Sequence, residues 1–335
     1  MIKAFVTGAT GFIGSALCRA LLEAGYEVRA FHRPTSNLLL IKDLPVEYIT
    51  GDLSQPESLR RAMQGVQVVF HTAAFMGGGR GDASRHYTVT VEGTRAVLRA
   101  ALECGVERLI HTSSVAALGV PPQIPGNQNT AYLMNETHTW NYLPERWPYG
   151  YAKYLAELEV QRAVASGLDV VILNPTLVIG AGDLYRQSRS VVVQVVQGRL
   201  PVIVEGGLNV ISLKDTVAGH LAALQRGRCG ERYILAGQNL TVAQLIERIA
   251  ELGGVPPPRT LLPAGLVRRL GGLYRLFENW LPLPVSSSEL YLAGRYFYFD
   301  AHKARIELKW ACCVDTDQAI REAIHWSKEK GMLAP

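Results

Sequence analysis

Apolar runs alternate with amphipathic stretches over the first two thirds of the chain. Short β-branched runs at 2–7, 27–31, 47–50, 66–71, 108–112 and 169–173 read as strands. Between them apolar residues recur every three or four positions, predicting helices that include 12–24, 84–103 and 151–165. Strand and helix in strict alternation predict an α/β fold, a doubly wound parallel sheet with right-handed crossovers, whose ligands sit beyond the carboxyl ends of the strands. The pattern breaks at Gly253-Gly254-Val255-Pro256-Pro257-Pro258. Leu266, Val267, Leu270, Leu273, Tyr274 and Phe277 then return at helical spacing; with Arg268, Arg269 and Arg275 among them the reading favoured is a core-facing helix with a solvated basic face, and a helix on a membrane surface is the alternative.

Composition narrows this picture. With 335 residues, 48% of them apolar, the chain can fill one large or two modest domains. No apolar run reaches the roughly 18 residues of a membrane span, and the first apolar segment leads into a glycine turn and not a cleavage site. A cytoplasmic protein without a membrane span is expected. Five cysteines, an odd number without CxxC spacing, suggest neither a disulfide framework nor a zinc site, and no metal is expected. The charge of +5 is spread through helices without an aromatic-interleaved patch, so nucleic acid is not an expected partner.

Three constellations carry chemistry. Thr7-Gly8-Ala9-Thr10-Gly11-Phe12-Ile13-Gly14 lies between the first strand and the first helix. Gly8 suits a tight turn, Gly11 a close approach of backbone to phosphate and Gly14 the packing of helix on strand, while the helix N-terminus offers free N–H groups. This makes the fold Rossmann-type and the turn a cradle for a dinucleotide pyrophosphate. At the end of the second strand there is no acid to bind ribose hydroxyls, and Arg33 offers a planar fork for a phosphate, which favours NADP(H) while NAD(H) stays open. Tyr149 precedes Lys153 by four residues, so both can share one helical face, a spacing that also arises by chance on a solvated helix. There the ammonium brings the phenol toward working pKa. Finally His111-Thr112-Ser113-Ser114 ends a strand, putting hydroxyls at the sheet's carboxyl edge, with Ser114 the first choice to polarise a substrate oxygen and Ser113 the second.

Taken with HTSSVAALG, NPTLVIGAGD and ERYILAGQNLT, the TGATGFIG turn resembles the extended short-chain dehydrogenase/reductase family over nearly the whole chain, closest to its dihydroflavonol 4-reductase-like and hopanoid-associated sugar epimerase-like members. The resemblance implies that Tyr149 is the acid/base, that Lys153 tunes it and holds the ribose, and that Ser114 matches the family's last serine. It implies cofactor contacts at Gly8, Thr10, Gly11, Phe12, Ile13, Gly14, Asp52 and Leu53 (adenine), Thr72, Ala73 and Ala74, Thr112, and Asn174, Pro175 and Val178 (nicotinamide). His71 reads as a strand-end histidine satisfied by its neighbours.

Three departures shape the expected activity. Dehydratases carry Thr-Asp-Glu where this chain has Ser114-Val115-Ala116, which disfavours dehydration. Thr90 stands where the family commonly has a relay asparagine. Epimerases often carry Arg-Asp-Phe at the strand matching Val210 to Leu213, and the arginine is missing here. The leading expectation is an NADP(H)-dependent reductase of a ketone or aldehyde, aromatic or lipophilic in view of Tyr291, Tyr296, Phe297, Tyr298 and Phe299. An NAD-dependent nucleotide-sugar epimerase is the alternative. A non-catalytic dinucleotide sensor or scaffold is the third reading, and it has no need of the Ser114, Tyr149 and Lys153 trio. The expected domains are 1–178, receiving also 207–236, for the dinucleotide, and 179–206 with 237–330 for the substrate; a homodimer formed through helices 84–103 and 151–165 is also expected.

Overall fold

The computed structural model describes residues 2–77, 82–122, 132–184, 190–278, 280 and 286–333, without the side chains of 276 and 277. Five strands, β1 (Lys3–Thr7), β2 (Glu27–His32), β3 (Glu47–Thr50), β4 (Val68–His71) and β5 (Arg108–Thr112), join Val170–Pro175 and Arg232–Leu235 in one sheet. Its order is Arg232–Leu235, Val170–Pro175, β5, β4, β1, β2, β3, and every pairing is parallel. Each of the six runs read from the hydropathy pattern is a strand of this sheet, with ends displaced by two residues at most.

The central strands are buried because both faces are covered, while the edge strand β3 is largely exposed. Val6, Phe70, Ile110 and Leu173 point to one side, where helix α1 (Phe12–Glu23) and helix Leu213–Arg226 pack. Phe5, Val69, Leu109 and Ile172 point to the other, against Leu59, Val97 and Val160. Strand order reverses at β1, which pairs with both β2 and β4, and the crevice at that switch point is where a ligand finds strand ends on either side.

Two predicted helices differ in detail. The run 84–103 is helical throughout, but His86–Glu92 winds as a π-helix between Ala83–Arg85 and Gly93–Glu103. The second begins earlier than periodicity suggested and runs Pro148–Ala165, with proline in the first turn where its missing N–H costs nothing. Tyr149 therefore sits inside the helix, in its first turn.

A second, smaller sheet has the order Gln238–Thr241, Gly207–Ser212, Leu177–Ile179. It shares a core of Ile179, Ile246, Ile249, Ile320 and Ile324 with helices Val242–Gly253 and Thr316–Glu329. Helix Ala264–Phe277 overturns the expectation of a single core-facing stripe: Ala264, Val267, Gly271 and Tyr274 face inward, while Leu266, Leu270 and Leu273 face out. The inner positions recur at three and four residues and fill the contact with helix Ser287–Tyr291, leaving no room for the leucines.

Candidate active site

The turn after β1 is built by mutual exclusion of side chains. Gly8 has φ +68°, the left-handed region, and a Cβ there would lie 2.8 Å from Ala73 N and Thr72 Oγ1. A Cβ on Gly14 would lie 2.1 Å from the Gly8 carbonyl oxygen, so helix α1 can start this close to the strand with glycine alone. No side chain caps the helix, whose N-cap is Gly11, and its first-turn amides are left for an anion. Thr72 donates its hydroxyl to the Thr7 carbonyl at 2.7 Å, which ties the end of β4 beside the turn. This cradle of excluded Cβ positions and unpaired N–H groups fits a pyrophosphate.

Opposite, Ser114 ends the segment after β5 and opens the short turn Val115–Leu118, its hydroxyl accepting from the Ala116 N–H at 3.2 Å. Gly150 abuts this turn: a Cβ there would be 3.0 Å from the Ala116 carbonyl and closer still to the rings of Trp140 and Trp147. The absent side chain lets the helix carrying Tyr149 and Lys153 close on the serine turn. Lys153 is 3% exposed and donates to the Thr112 carbonyl at 2.9 Å. Burial pulls its pKa down to about 8, against the opposing pull of Glu157 one turn further on. The Tyr149 ring meets the edge of His86, centroids 5.8 Å apart.

Beneath these residues lies a polar layer that sequence reasoning missed. Glu157 is 1% exposed; Ser113 donates to its Oε1 at 2.6 Å and Asn174 Nδ2 at 2.7 Å, while Arg232 Nη2 pairs with Oε2 at 3.1 Å. The spacing 149, 153, 157 was the available signal, three polar residues on one helix stripe. This layer distinguishes the two serines: Ser113 points down into it, and Ser114 remains partly exposed above. Asn174 also donates to the Ser114 carbonyl at 2.9 Å, and Thr112 gives its hydroxyl to His220 Nε2 at 2.8 Å. The side chains of Asn174 and Thr112 are thus tied into the layer beneath the strand ends.

Four buried histidines, His71, His86, His111 and His220, are held toward the neutral form. His71 bonds Thr7 Oγ1 at 2.7 Å and Thr94 Oγ1 at 3.0 Å, as a satisfied strand-end residue should, and burial takes its pKa to about 3. His220 falls to about 4 and His111 well below its ordinary value for the same reason. His86 is also held down by burial; Nε2 faces the Gly77 carbonyl at 3.0 Å, leaving Nδ1 as a buried acceptor without a partner among the described residues. Thr90 is engaged in structure, its hydroxyl accepting from the Phe75 N–H at 3.2 Å.

The remaining predicted residues lie along the strand ends. Phe12 and Val178 line one small depression with Leu177 and Gly180, and Pro175 is buried behind them. Ala73 N approaches Thr7 Oγ1 at 3.4 Å, and Ala74 follows, half-buried. Thr10 is buried in the glycine turn and Ile13 half-buried. Arg33 is exposed just past β2, in a turn closed by Ser36 Oγ, and its guanidinium has no partner among the described residues. Asp52 spends Oδ1 on its own turn, accepting from Ser54 N and Oγ at 2.9 and 2.8 Å, and Leu53 packs near Gly93.

A glycine cradle at the switch point of a parallel sheet, faced by a serine, tyrosine and buried lysine, defines a dinucleotide-binding enzyme of the oxidoreductase type. The chain belongs to the NAD dependent epimerase/dehydratase family, whose model matches residues 4–236. It is similar to a putative dihydroflavonol 4-reductase of Synechocystis sp., 34% identical over 98% of this chain and 95% of the relative. Sterol demethylase protein B of Methylococcus capsulatus is 34% identical over 98% of this chain and 99% of its own. A crystal structure of a nucleoside-diphosphate-sugar epimerase from Pseudomonas aeruginosa matches with TM-score 0.81 at 29% identity, over 99% of each chain.

Proposed function

We propose that this protein is an NADP(H)-dependent carbonyl reductase, acting on a ketone or aldehyde or oxidising the corresponding alcohol. The observation that supports the reading is the close approach, at Gly150, of the helix that carries Tyr149 and the buried Lys153 to the turn that Ser114 opens. Gly8, Gly11 and the first-turn amides of α1 would hold the pyrophosphate, Arg33 a 2′-phosphate, and Phe12 and Val178 the nicotinamide side. The cofactor, when bound, supplies a hydride to the carbonyl carbon. Tyr149 then gives its phenolic proton to the carbonyl oxygen, and the Ser114 hydroxyl donates to that oxygen as negative charge gathers on it. Lys153 keeps a positive charge near the phenol, which favours the phenolate left behind. Neutral His71, His111 and His220 add no competing charge beneath the strand ends.

The reductase is favoured over the nucleotide-sugar epimerase by what lies in strand Gly207–Ser212. Residues Val210 to Leu213, where epimerases often carry Arg-Asp-Phe, hold no arginine for a sugar diphosphate, and Asn209 before them is buried and bonded to Thr176 and Asn239. Of the two arginines that could take its part, Arg199 and Arg295, the second stacks on the Tyr142 ring and donates to the Pro121 carbonyl. The name of the Synechocystis relative agrees with the reductase, and that of the Pseudomonas structure with the alternative. The test is titration with NADPH and NADH by nicotinamide fluorescence, then a panel of aromatic and aliphatic carbonyls, with the wild type and Tyr149→Phe. Carbonyl-dependent NADPH oxidation that falls on the order of 10²-fold or more in Tyr149→Phe, with cofactor binding retained, is expected. Unchanged turnover in that variant sinks the assignment, and epimerisation without net oxidation moves it to the alternative.

A further inference from the structure

The outward face of helix Ala264–Phe277 has no partner in the fold. Leu266, Leu270 and Leu273 are 49%, 49% and 59% exposed, and they recur at four and three residues, hence on one stripe. Leu261, just before the helix, is 53% exposed and Trp280, just after it, 87%. Scattered surface leucines need no account, but an aligned stripe with an exposed tryptophan on a helix that is otherwise well packed does.

The charge around the stripe says what covers it. Between residues 259 and 278 the chain carries Arg259, Arg268, Arg269 and Arg275 against one acid, Glu278. Glu278 is buried and spent on the Ser287 N–H and hydroxyl at 2.9 and 2.8 Å. Arg268 turns inward to the Ala293 carbonyl at 2.7 Å, whereas Arg259, Arg269 and Arg275 have no acidic partner among the described residues. Nearby Glu205 and Glu289 are occupied in caps, at Ala264 N and at Ser286. An apolar stripe flanked by the exposed Arg269, with Arg259 before the helix and a tryptophan after it, has the composition of a helix that lies in a bilayer interface, its leucines among the acyl chains and its cations on headgroup phosphates. Among the described residues no helix is long and apolar enough to cross a membrane, so this one would lie on the surface. We propose that this face docks the enzyme on an anionic phospholipid membrane.

The placement gives the docking a use. The helix packs on Ser287–Tyr291, whose Tyr291 carbonyl accepts from Tyr142 at 3.4 Å and whose ring lies 5.1 Å from the Arg146 guanidinium, three residues before Tyr149. The membrane face is thus linked through Ser287–Tyr291 and Arg146 to the helix that carries Tyr149. The docking stands whatever carbonyl or sugar the site takes.

The test is co-sedimentation of the full chain with phosphatidylcholine vesicles, with and without a third of phosphatidylglycerol, at low and high salt. Binding to the anionic vesicles that weakens with salt is expected, with a Trp280 emission shift identified by its loss in Trp280→Phe. The triple variant Leu266→Ser/Leu270→Ser/Leu273→Ser should lose sedimentation, and Arg269→Glu should weaken it by about fivefold or more. Both should keep wild-type NADPH binding and circular dichroism, which excludes misfolding as the cause. Failure of the wild type to sediment at low salt, or sedimentation of the triple variant like the wild type, overturns the proposal. So does a wild-type dimer in solution that the serine variant converts to a monomer, for the face would then be covered by a second copy.

Discussion

Glu157→Gln isolates a charge from a shape. The carboxylate is buried within reach of Ser113, Asn174 and Arg232, and it lies one helical turn from Lys153, whose pKa it raises against the effect of burial. Side chains four apart on a helix are separated by about 6 Å, and at an effective dielectric of about 20 unit charges at that distance interact by about 3 kcal/mol. Removing that attraction should lower the Lys153 pKa by one to two pH units, from about 8 to between about 6 and 7. The lysine is then largely neutral at pH 7. NADPH affinity, followed by nicotinamide fluorescence between pH 5.5 and 9.5, should lose its alkaline midpoint near 8 and acquire one at least a unit lower. Ser113→Ala is the control, since it breaks a hydrogen bond to the same carboxylate but leaves its charge, and it should cost about 1 kcal/mol of stability without moving the midpoint. A folded Glu157→Gln protein with the wild-type midpoint would refute the coupling. Equal displacement by Ser113→Ala would assign the effect to geometry.

Lys153→Met should abolish turnover while changing stability in a pH-dependent way. The folded pKa, about 8, lies below the unfolded value of 10.5, so the unfolded chain binds more protons between these limits. Wild-type stability therefore rises with pH across that window, and the burial penalty, about 3 kcal/mol, is fully present below pH 8; urea unfolding from pH 7 to 10 should show this slope in the wild type and not in the variant. Gly14→Ala places a methyl 2.1 Å from the Gly8 carbonyl, and it should lower cofactor affinity by at least tenfold, measured by titration, with a stability loss of about 1 to 3 kcal/mol. Arg33→Ala should weaken NADPH by about ten- to a hundredfold and leave NADH within about threefold, and equal losses for both cofactors would remove Arg33 from the 2′-phosphate.

Residues whose environment is set by chain-local rules were legible in the sequence. The buried strands announced themselves because both faces are apolar, and the Gly8, Gly11 and Gly14 turn because its steric demands fall within eight residues. The polar layer under the site was not legible, since Glu157 meets Ser113, Asn174 and Arg232 across separations of 17 to 75 residues, which no local period encodes. The orientations of the Thr112 and Asn174 side chains were not legible for the same reason: which way a hydroxyl or an amide turns depends on His220 and Glu157, supplied by other helices. The π-helical winding at His86 likewise leaves no trace in periodicity, yet it sets an imidazole against Tyr149. Helix Ala264–Phe277 failed in the opposite sense. Its period was read correctly, but hydrophobic spacing alone does not say that one helix holds two apolar stripes and that the fold has room for one. The second stripe is left without a partner in the fold, and Arg269 beside it is why the partner proposed is an anionic surface and not another apolar core.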